Sequence, residues 1–388
     1  MRRKFIAVLS FIRALGTFAC GTDPNGDDSV EHTGTSTSAI ISGTNSDASQ
    51  DSVVLIVGLI GKEVFMCSGT LVAQNLILTA RHCVSEVSEG GFTCNADGTL
   101  GAGSTGGKVG ADYPVTTFYI FTGPNKPDFS SGKVSVAAKV TRVWHDEAAA
   151  VCGHDLALLQ LDRAIPGAKI AQMRLDNATT VGEKFTAVGW GITSTTSDPQ
   201  IRQQRSDVAV KRVGPAAGSD SLRQLPVPAN EFEVGEVICQ GDSGGPAFSA
   251  TTGAVMGVVS TGGNGLSPTA DNPARGCTGT SAVNQYMMLP AFKVLIGQAF
   301  AAVGQEPWAE GQANPALAKD GERCVSDGDC RSNTCAALKC VAAPKNEDDG
   351  GCSTGAQVSG TRRTSNGFAL GGALAVTFAA LFGRRRRR

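Results

Sequence analysis

Residues 241–246, with the sequence GDSGGP, constrain this chain more than any other short stretch of it. Glycine adopts backbone conformations that other residues resist, so the main chain here can approach a ligand closely. Ser243 lies between the glycines, and the backbone N–H groups of Gly241 and Ser243 can point together at one developing negative charge. A serine hydroxyl is a weak nucleophile by itself, so the motif requires a base from elsewhere in the chain.

A candidate base and its orienting acid are both present. The chain has four histidines, and His82 follows an apolar run over Leu76–Thr79 that predicts a strand. Downstream, Asp155 opens a second apolar run, 155–161. Burying a carboxylate in such a run is costly unless it has a hydrogen-bonded role, and orienting a histidine is such a role. The pattern therefore indicates His82, Asp155 and Ser243 as a catalytic set.

The order of these three residues, with their flanking sequences, resembles the trypsin/chymotrypsin-like serine proteases. The resemblance covers roughly residues 40–303, and it implies an all-β fold. That fold is a double six-stranded antiparallel β-barrel with the catalytic cleft between the barrels, followed by a C-terminal helix. Other residues that carry the resemblance are Gly189-Trp190-Gly191, Ser260 and the segment Ile40-Ile41-Ser42-Gly43.

The resemblance also implies a role for each residue of the site. Ser243 attacks the scissile carbonyl, and His82 takes its proton and later gives one to the leaving amine. Asp155 orients the imidazole, and Ser260 donates a hydrogen bond to Asp155. Gly241 and Ser243 form the oxyanion hole. Arg81 departs from the family pattern beside the catalytic histidine, so its guanidinium requires a partner or access to solvent.

The primary specificity pocket is expected near Val237, because the resemblance implies that the residue six before the nucleophile forms its floor. Gly262 would lie on its wall. No acid stands at position 237, and an uncompensated buried cation is expensive. We therefore expect small or apolar substrate side chains before the scissile bond, rather than arginine or lysine.

The N-terminus predicts export. Three basic residues precede an apolar run over 5–12, which is typical of a signal peptide, here residues 1–19. Cys20 follows Ala19 directly, and both lipidation of Cys20 and ordinary cleavage after Ala19 stay open.

Residues 20–39 predict a propeptide, because they are polar and have little apolar surface to bury. In the family a new N-terminus, here Ile40, folds inward and pairs its ammonium with the acid before the nucleophile, here Asp242. The preceding residue is Ala39, so the activating protease, or this enzyme itself, would cut after a small residue.

Twelve cysteines point to an oxidising compartment once export is predicted. The resemblance implies the pairs Cys67–Cys83 and Cys239–Cys277. Elimination leaves Cys94 with Cys152 in the protease domain.

The polar residues 304–323 predict a linker. A small module over 324–340 follows, with four cysteines at Cys324, Cys330, Cys335 and Cys340. It lacks the C-x₂-C pairs of zinc sites, so two disulfides are expected, and three connectivities stay open. Its role could be binding or mere spacing.

The end of the chain has the layout of a sorting signal. A second linker, 341–366, contains Cys352, and an uncharged run over 367–383 precedes the arginines 384–388. This resembles the Myxo-CTERM sorting tail, which implies transient membrane retention, processing near Cys352 and surface display. A plain transmembrane anchor is the alternative, although the run is short of the roughly 20 residues that a spanning helix needs.

A net charge of −1 gives no indication of nucleic-acid binding, and no metal or cofactor is expected. The expected partners are polypeptide substrates, an activating protease and the sorting machinery of the cell envelope. The sequence thus predicts an exported serine endopeptidase made as a zymogen. The alternatives are a catalytically silent surface binding or adhesion module with the same fold, and an esterase.

Overall fold

The structure, a computed structural model, describes residues 40–131, 133–193, 199–219, 224–324, 330–332 and 334–342. The predicted signal peptide, propeptide and sorting tail lie outside these residues, and so do Cys20 and Cys352. Within the described ranges, no helix is both long enough and apolar enough to cross a membrane.

Antiparallel strands dominate the fold, and a single α-helix, α1, covers Lys293–Ala302 in the part of the chain described. In chain order the strands are β1 (Thr44–Asn45), β2 (Val53–Ile60), β3 (Glu63–Ala73), β4 (Leu76–Thr79), β5 (Ser85–Val87), β6 (Val109–Asp112), β7 (Phe118–Phe121), β8 (Ala138–Trp144), β9 (Ala157–Leu161), β10 (Lys184–Gly189), β11 (Gln203–Ala209), β12 (Arg212–Val213), β13 (Glu231–Val234), β14 (Pro246–Ser249), β15 (Val255–Gly263), β16 (Val283–Met288), β17 (Cys335–Ala336) and β18 (Lys339–Cys340).

Six strands close the first barrel in the order β2-β3-β4-β9-β8-β7. β2 and β3 form a hairpin in which Ile60 pairs with Glu63, and the turn uses Gly61 at a φ of 62°. A left-handed residue of this kind fits the twist of a tight hairpin. Gly58 lies opposite Phe65 across the hairpin, and a side chain there would overlap the Phe65 ring. The aromatic ring therefore fills the space that the glycine leaves.

The second sheet, called the second barrel below, has eight strands in the order β1-β11-β10-β14-β15-β16-β13-β12. Only Val210 and Lys211 separate β11 from β12, so one bent segment pairs with β10 at one side of the sheet and with β13 at the other. That segment brings the two sides of the sheet together around three buried rings. These rings are Phe185, Phe232 and Tyr286, and their centroids are 5.1 to 5.8 Å apart. The predicted all-β fold with two barrel-like antiparallel sheets is confirmed.

The helix α1 packs against the core of the first barrel. It buries Ile296, Ala299 and Phe300, which share one face because they are spaced by three and four residues. The predicted C-terminal helix is therefore confirmed.

The segment after α1, which the sequence predicts as a linker, packs over residues 305–312 on the segment between β9 and β10. The Met173 N–H donates to the Trp308 carbonyl at 2.8 Å, and the Glu310 N–H donates to the Met173 carbonyl at 2.8 Å. Glu310 also holds the nearly buried Arg174 guanidinium through two hydrogen bonds of 2.8 Å. Composition could not indicate this contact, because Arg174 is remote in sequence and its need for a buried partner arises only in the fold.

The cysteine-rich module has one of the three connectivities that the sequence left open. Cys324 bonds Cys335 and Cys330 bonds Cys340, and the two short strands β17 and β18 pair between them. Three of the four cysteines are buried and Cys335 packs against them, so disulfides supply the stability that a core of this size lacks.

Replacing Glu310 with alanine should destabilise the protein by about 3 kcal/mol, because the buried Arg174 would lose one of its two acidic partners. Hydrogen bonds from Arg174 lower the pKa of Glu310 to about 2, whereas an unfolded glutamate titrates near about 4.3. The stabilisation is therefore fully present above about pH 4, and it disappears as the pH falls towards 2.

Urea unfolding at several pH values measures this difference. The control is Lys184→Ala, which removes an exposed ion pair with Asp207 and should cost less than about 1 kcal/mol. An equal loss for both variants would show that residues 305–312 add no specific stability.

Candidate active site

The centre of the candidate active site is the pair His82 and Asp155. After β4 ends, a short 3-10 turn over Arg81–Cys83 carries His82, and the disulfide Cys67–Cys83 ties this turn to β3. The distance from His82 Nδ1 to Asp155 Oδ2 is 2.7 Å. The backbone N–H of His82 donates to Asp155 Oδ1 at 2.8 Å. Both carboxylate oxygens therefore bind the same residue, which holds the ring in one orientation.

Ser260, on β15 of the second barrel, donates a third hydrogen bond to Asp155. Its hydroxyl lies 2.7 Å from Asp155 Oδ2. Asp155 is fully buried, and burial by itself raises a carboxyl pKa. The charge of His82 and the hydrogen bonds from His82 and Ser260 outweigh burial, so the pKa of Asp155 is lowered. Asp155 is therefore a carboxylate at neutral pH.

The imidazole of His82 responds in the opposite sense. Burial lowers its pKa, but the charge and hydrogen bond of Asp155 outweigh burial and raise the pKa above the usual value. The carboxylate thus stabilises the protonated ring, which is the form that a general base reaches when it accepts a proton.

Arg81 finds acceptors for one of its guanidinium nitrogens, whereas its buried Nε has no hydrogen-bond partner among the described residues. Its guanidinium is nearly buried and donates to the Ala148 carbonyl at 2.6 Å, with Asp146 Oδ1 at 3.4 Å. The other oxygen of Asp146 binds His154 Nδ1 at 2.6 Å. Asp146 therefore links Arg81, which precedes His82, to His154, which precedes Asp155, and so helps to fix the backbone on both sides of the His82–Asp155 contact.

Ser243 lies on a turn that approaches the first barrel. The Ser243 carbonyl accepts a hydrogen bond from the Ser68 N–H at 2.8 Å. Gly244 has a φ of 78°, and a side chain there would overlap Thr79 and the Ser68 carbonyl. Glycine is therefore required for this approach. Ser243 and His82 line the same cleft of about 560 Å³, so the structure brings all three predicted residues to one site.

Asp242, the neighbour of Ser243, is fully buried. Burial raises its pKa to about 7, although the backbone N–H groups of Cys239, Gly191 and Ile40 donate to it and partly offset the shift. The first two of these bonds measure 2.9 and 2.8 Å. A side chain at Gly189 or Gly191 would overlap the carboxyl group, which explains the glycines on either side of Trp190.

The specificity pocket differs in detail from the sequence prediction. Val237 is fully buried and packs in the core of the second barrel, and it is Ile238 that lines the cleft. Gly262 lines the cleft as predicted, and a side chain on Gly262 would overlap Asn284 Oδ1.

Asn284 itself lines the cleft and was missed by the sequence analysis. Its Nδ2 donates to the Gly235 carbonyl at 2.6 Å. The signal that identifies Asn284 is the register of β15 with β16, which pairs it with Gly262. That register is a property of the folded sheet.

Two disulfides shape the rim of the cleft. Cys239–Cys277 connects the turn before Ser243 to the loop that carries Leu266, and both cysteines and Leu266 line the cleft. Cys94–Cys152 ties the insert between β5 and β6 to the segment just before Asp155, and Phe92 of this insert also lines the cleft. The insert thus contributes directly to the site.

Comparisons with known proteins indicate the family to which the chain is similar. A family model described as Trypsin matches residues 40–275. The chain is 29% identical to Trypsin of Saccharopolyspora erythraea over 191 residues, which are 46% of this chain and 69% of that protein. It is 25% identical to Phenoloxidase-activating factor 3 of Holotrichia diomphalia over 199 residues, 49% of this chain and 53% of that protein.

The match therefore spans about half the length of the phenoloxidase-activating factor. The solved structure of neuropsin, described as a serine protease expressed in the limbic system of mouse brain, aligns with a TM-score of 0.45 at 17% sequence identity. That alignment covers 67% of this chain and 99% of the neuropsin chain.

Replacing Asp155 with asparagine should lower the pKa of His82 below its usual value, because burial of the ring would remain while the compensating charge is lost. NMR titration of the imidazole C–H resonances measures the shift. The control Asp162→Asn removes a carboxylate that bonds Arg163 and the Lys139 N–H and should leave the His82 titration unchanged. A His82 pKa that stays raised in Asp155→Asn would contradict the assigned source of the shift.

Proposed function

Since the chain belongs to the trypsin family of serine proteases, we propose that it is an exported endopeptidase whose catalytic residues are Ser243, His82 and Asp155. The observation that carries the proposal is the double hydrogen bond between Asp155 and His82 on the cleft that Ser243 also lines. A silent binding module has no need of a buried carboxylate that costs free energy and orients a histidine.

In the proposed mechanism, His82 removes the proton from the Ser243 hydroxyl as its oxygen attacks the scissile carbonyl. Asp155 stabilises the imidazolium that results. The backbone N–H groups of Gly241 and Ser243 hold the negative charge of the tetrahedral intermediate. His82 then gives its proton to the leaving amine, and water repeats the sequence on the acyl-enzyme, which restores the free serine.

We also propose that the protein is made as a zymogen. Ile40 is fully buried and its N–H already donates to Asp242. Cleavage after Ala39, by another protease or by this one, would turn that N–H into an ammonium group. Its positive charge would lower the pKa of Asp242 from about 7 and so favour a buried ion pair beside Ser243.

The proposed preference is for small or apolar side chains before the scissile bond. None of the described residues that line the cleft is Asp, Glu, Lys or Arg. The pocket residues Ile238, Gly262 and Asn284 offer an apolar surface and one neutral amide. A substrate cation would find no counter-charge there, and its desolvation would be uncompensated.

Export and surface display complete the proposal, and they rest on the signal-peptide pattern over 1–19 and on the tail over 341–388. Five disulfides among the described residues support an oxidising compartment. The proposed partners are polypeptide substrates, an activating protease and envelope sorting machinery.

A fluorophosphonate probe tests both the nucleophile and the zymogen. With an enteropeptidase site inserted directly before Ile40, the protein should react rapidly only after it has been cut. Ser243→Ala should keep the fold and remain unlabelled in both forms, and its kcat for peptide hydrolysis should fall by about 10⁶.

Rapid labelling of the uncut chain would contradict the zymogen proposal. No labelling of the cut chain would contradict the enzymatic function and favour the silent binding module. Hydrolysis of esters but not of peptides by the cut chain would favour an esterase.

The substitution Asn284→Asp tests the neutral pocket. A carboxylate at this position should raise kcat/KM for substrates with arginine or lysine before the scissile bond by at least about tenfold, because it supplies the missing counter-charge. Profiling with a peptide library measures the preference of each protein. The control Gln285→Glu adds the same charge at a neighbouring residue that does not line the cleft. A wild-type enzyme that already prefers arginine or lysine would contradict the proposed specificity.

A further inference from the structure

Glu231, on β13 of the second barrel, is a buried acid that the proposed mechanism does not use. It is 1% exposed. Its Oε1 accepts a hydrogen bond from the Gly153 N–H at 2.7 Å. Its Oε2 is buried and has no hydrogen-bond partner in the described part of the chain. An acid in this setting is costly for the fold unless it has a local role.

The partner of Glu231 lies two residues before Asp155. Gly153 has a φ of 71°, and a side chain there would come within 2.6 Å of the Ala229 carbonyl. The neighbouring Asn230 donates to the Gly153 carbonyl at 3.2 Å. Asn230 and Glu231 therefore bind the carbonyl and the N–H of Gly153, and this contact joins the second barrel to the turn that leads to Asp155.

The charges around Glu231 favour its neutral form. Burial raises the pKa of Glu231 to about 8; the hydrogen bond from Gly153 opposes this shift, and the negative charge of Asp155 adds to it. The other charged groups nearby are already paired, since His154 on the same turn binds Asp146 and Glu233 on the same strand binds Arg212. Glu231 is therefore protonated at neutral pH.

We propose that Glu231 is a positioning residue that, as a neutral acid, holds the turn before Asp155 against the second barrel. The proposal rests on the proposed peptidase function, because Asp155 matters for its orientation of His82. Ionised Glu231 would place an unpaired negative charge close to Asp155, and hydrating that charge would require the contact with Gly153 to open. The hold on the turn is thus expected to weaken in alkaline solution.

The linkage between protonation and folding has a definite sign. The pKa of Glu231 is about 8 in the folded protein and about 4.3 in an unfolded chain. Between these values the unfolded chain gives up its proton while the folded protein keeps it. Stability therefore falls as the pH rises from about 4 to about 8, and Glu231→Gln, which keeps an oxygen for Gly153, should remove this loss.

Three variants of the enteropeptidase-activated full chain test the proposal. Glu231→Gln should keep the wild-type kcat at pH 7, and its kcat should lack the decline near pH 8 that we expect for the wild type. Glu231→Ala should lower kcat at pH 7 by about tenfold with little change in KM, because the turn loses its hold. Glu233→Gln, two residues along the same strand, should leave the pH profile unchanged.

Urea unfolding from pH 4 to pH 9 gives a second measurement that needs no activity. The unfolding midpoint of Glu231→Gln should rise relative to the wild type as the pH increases. Burial also raises the pKa of Glu233, but Arg212 and Lys211 offset part of that shift, so the midpoint of Glu233→Gln should rise less. Equal pH profiles of kcat and equal midpoints for wild type and Glu231→Gln would overturn the proposal. Failure of the peptidase function itself would appear separately, as absence of fluorophosphonate labelling in the activated wild type.

Discussion

The hydrogen bonds to the buried carboxylate of Asp155 are the interactions on which the rest of the structure depends. A charge at this depth is tolerated only if hydrogen-bond donors surround it, and they come from two parts of the chain. His82 follows β4, its backbone N–H donates to Asp155, and its ring Nδ1 lies at hydrogen-bond distance from the same carboxylate. The Ser260 hydroxyl donates from the second barrel. These hydrogen bonds to Asp155 therefore connect the two barrels at the cleft that His82, Ser260 and Ser243 line.

Three buried acids belong to the candidate site or contact its segments, and each is stabilised in a different way. Asp155 is ionised because His82 and Ser260 outweigh burial. Asp242 accepts hydrogen bonds from backbone N–H groups, but burial outweighs them and raises its pKa to about 7. Glu231 has one donor and a like charge nearby, so it keeps its proton. A buried carboxyl group thus serves three different purposes. Asp155 orients His82, Asp242 is proposed to pair with a new N-terminus after cleavage, and Glu231 is proposed to fix the turn before Asp155.

The three catalytic candidates could be recognised because their signals are local in sequence, and the family resemblance that these signals carry implied the fold. Residues 241–246 and the apolar runs around His82 and Asp155 each indicate their role within a few positions. The prediction failed where a role depends on a neighbour across a sheet or on a distant partner. Asn284 lines the pocket through its register with Gly262, Val237 turns into the core, and residues 305–312 pack because Arg174 needs Glu310.

The sequence by itself indicated the candidate nucleophile, base and acid, because short motifs of adjacent residues carry them, and the family resemblance of those motifs implied the antiparallel barrel fold. Only the tertiary structure decided which side chains line the pocket, which of three connectivities the module's cysteines adopt and which acid keeps its proton. These properties depend on burial and on distances of a few ångströms between residues far apart in the chain. Such distances are set only when the chain has folded.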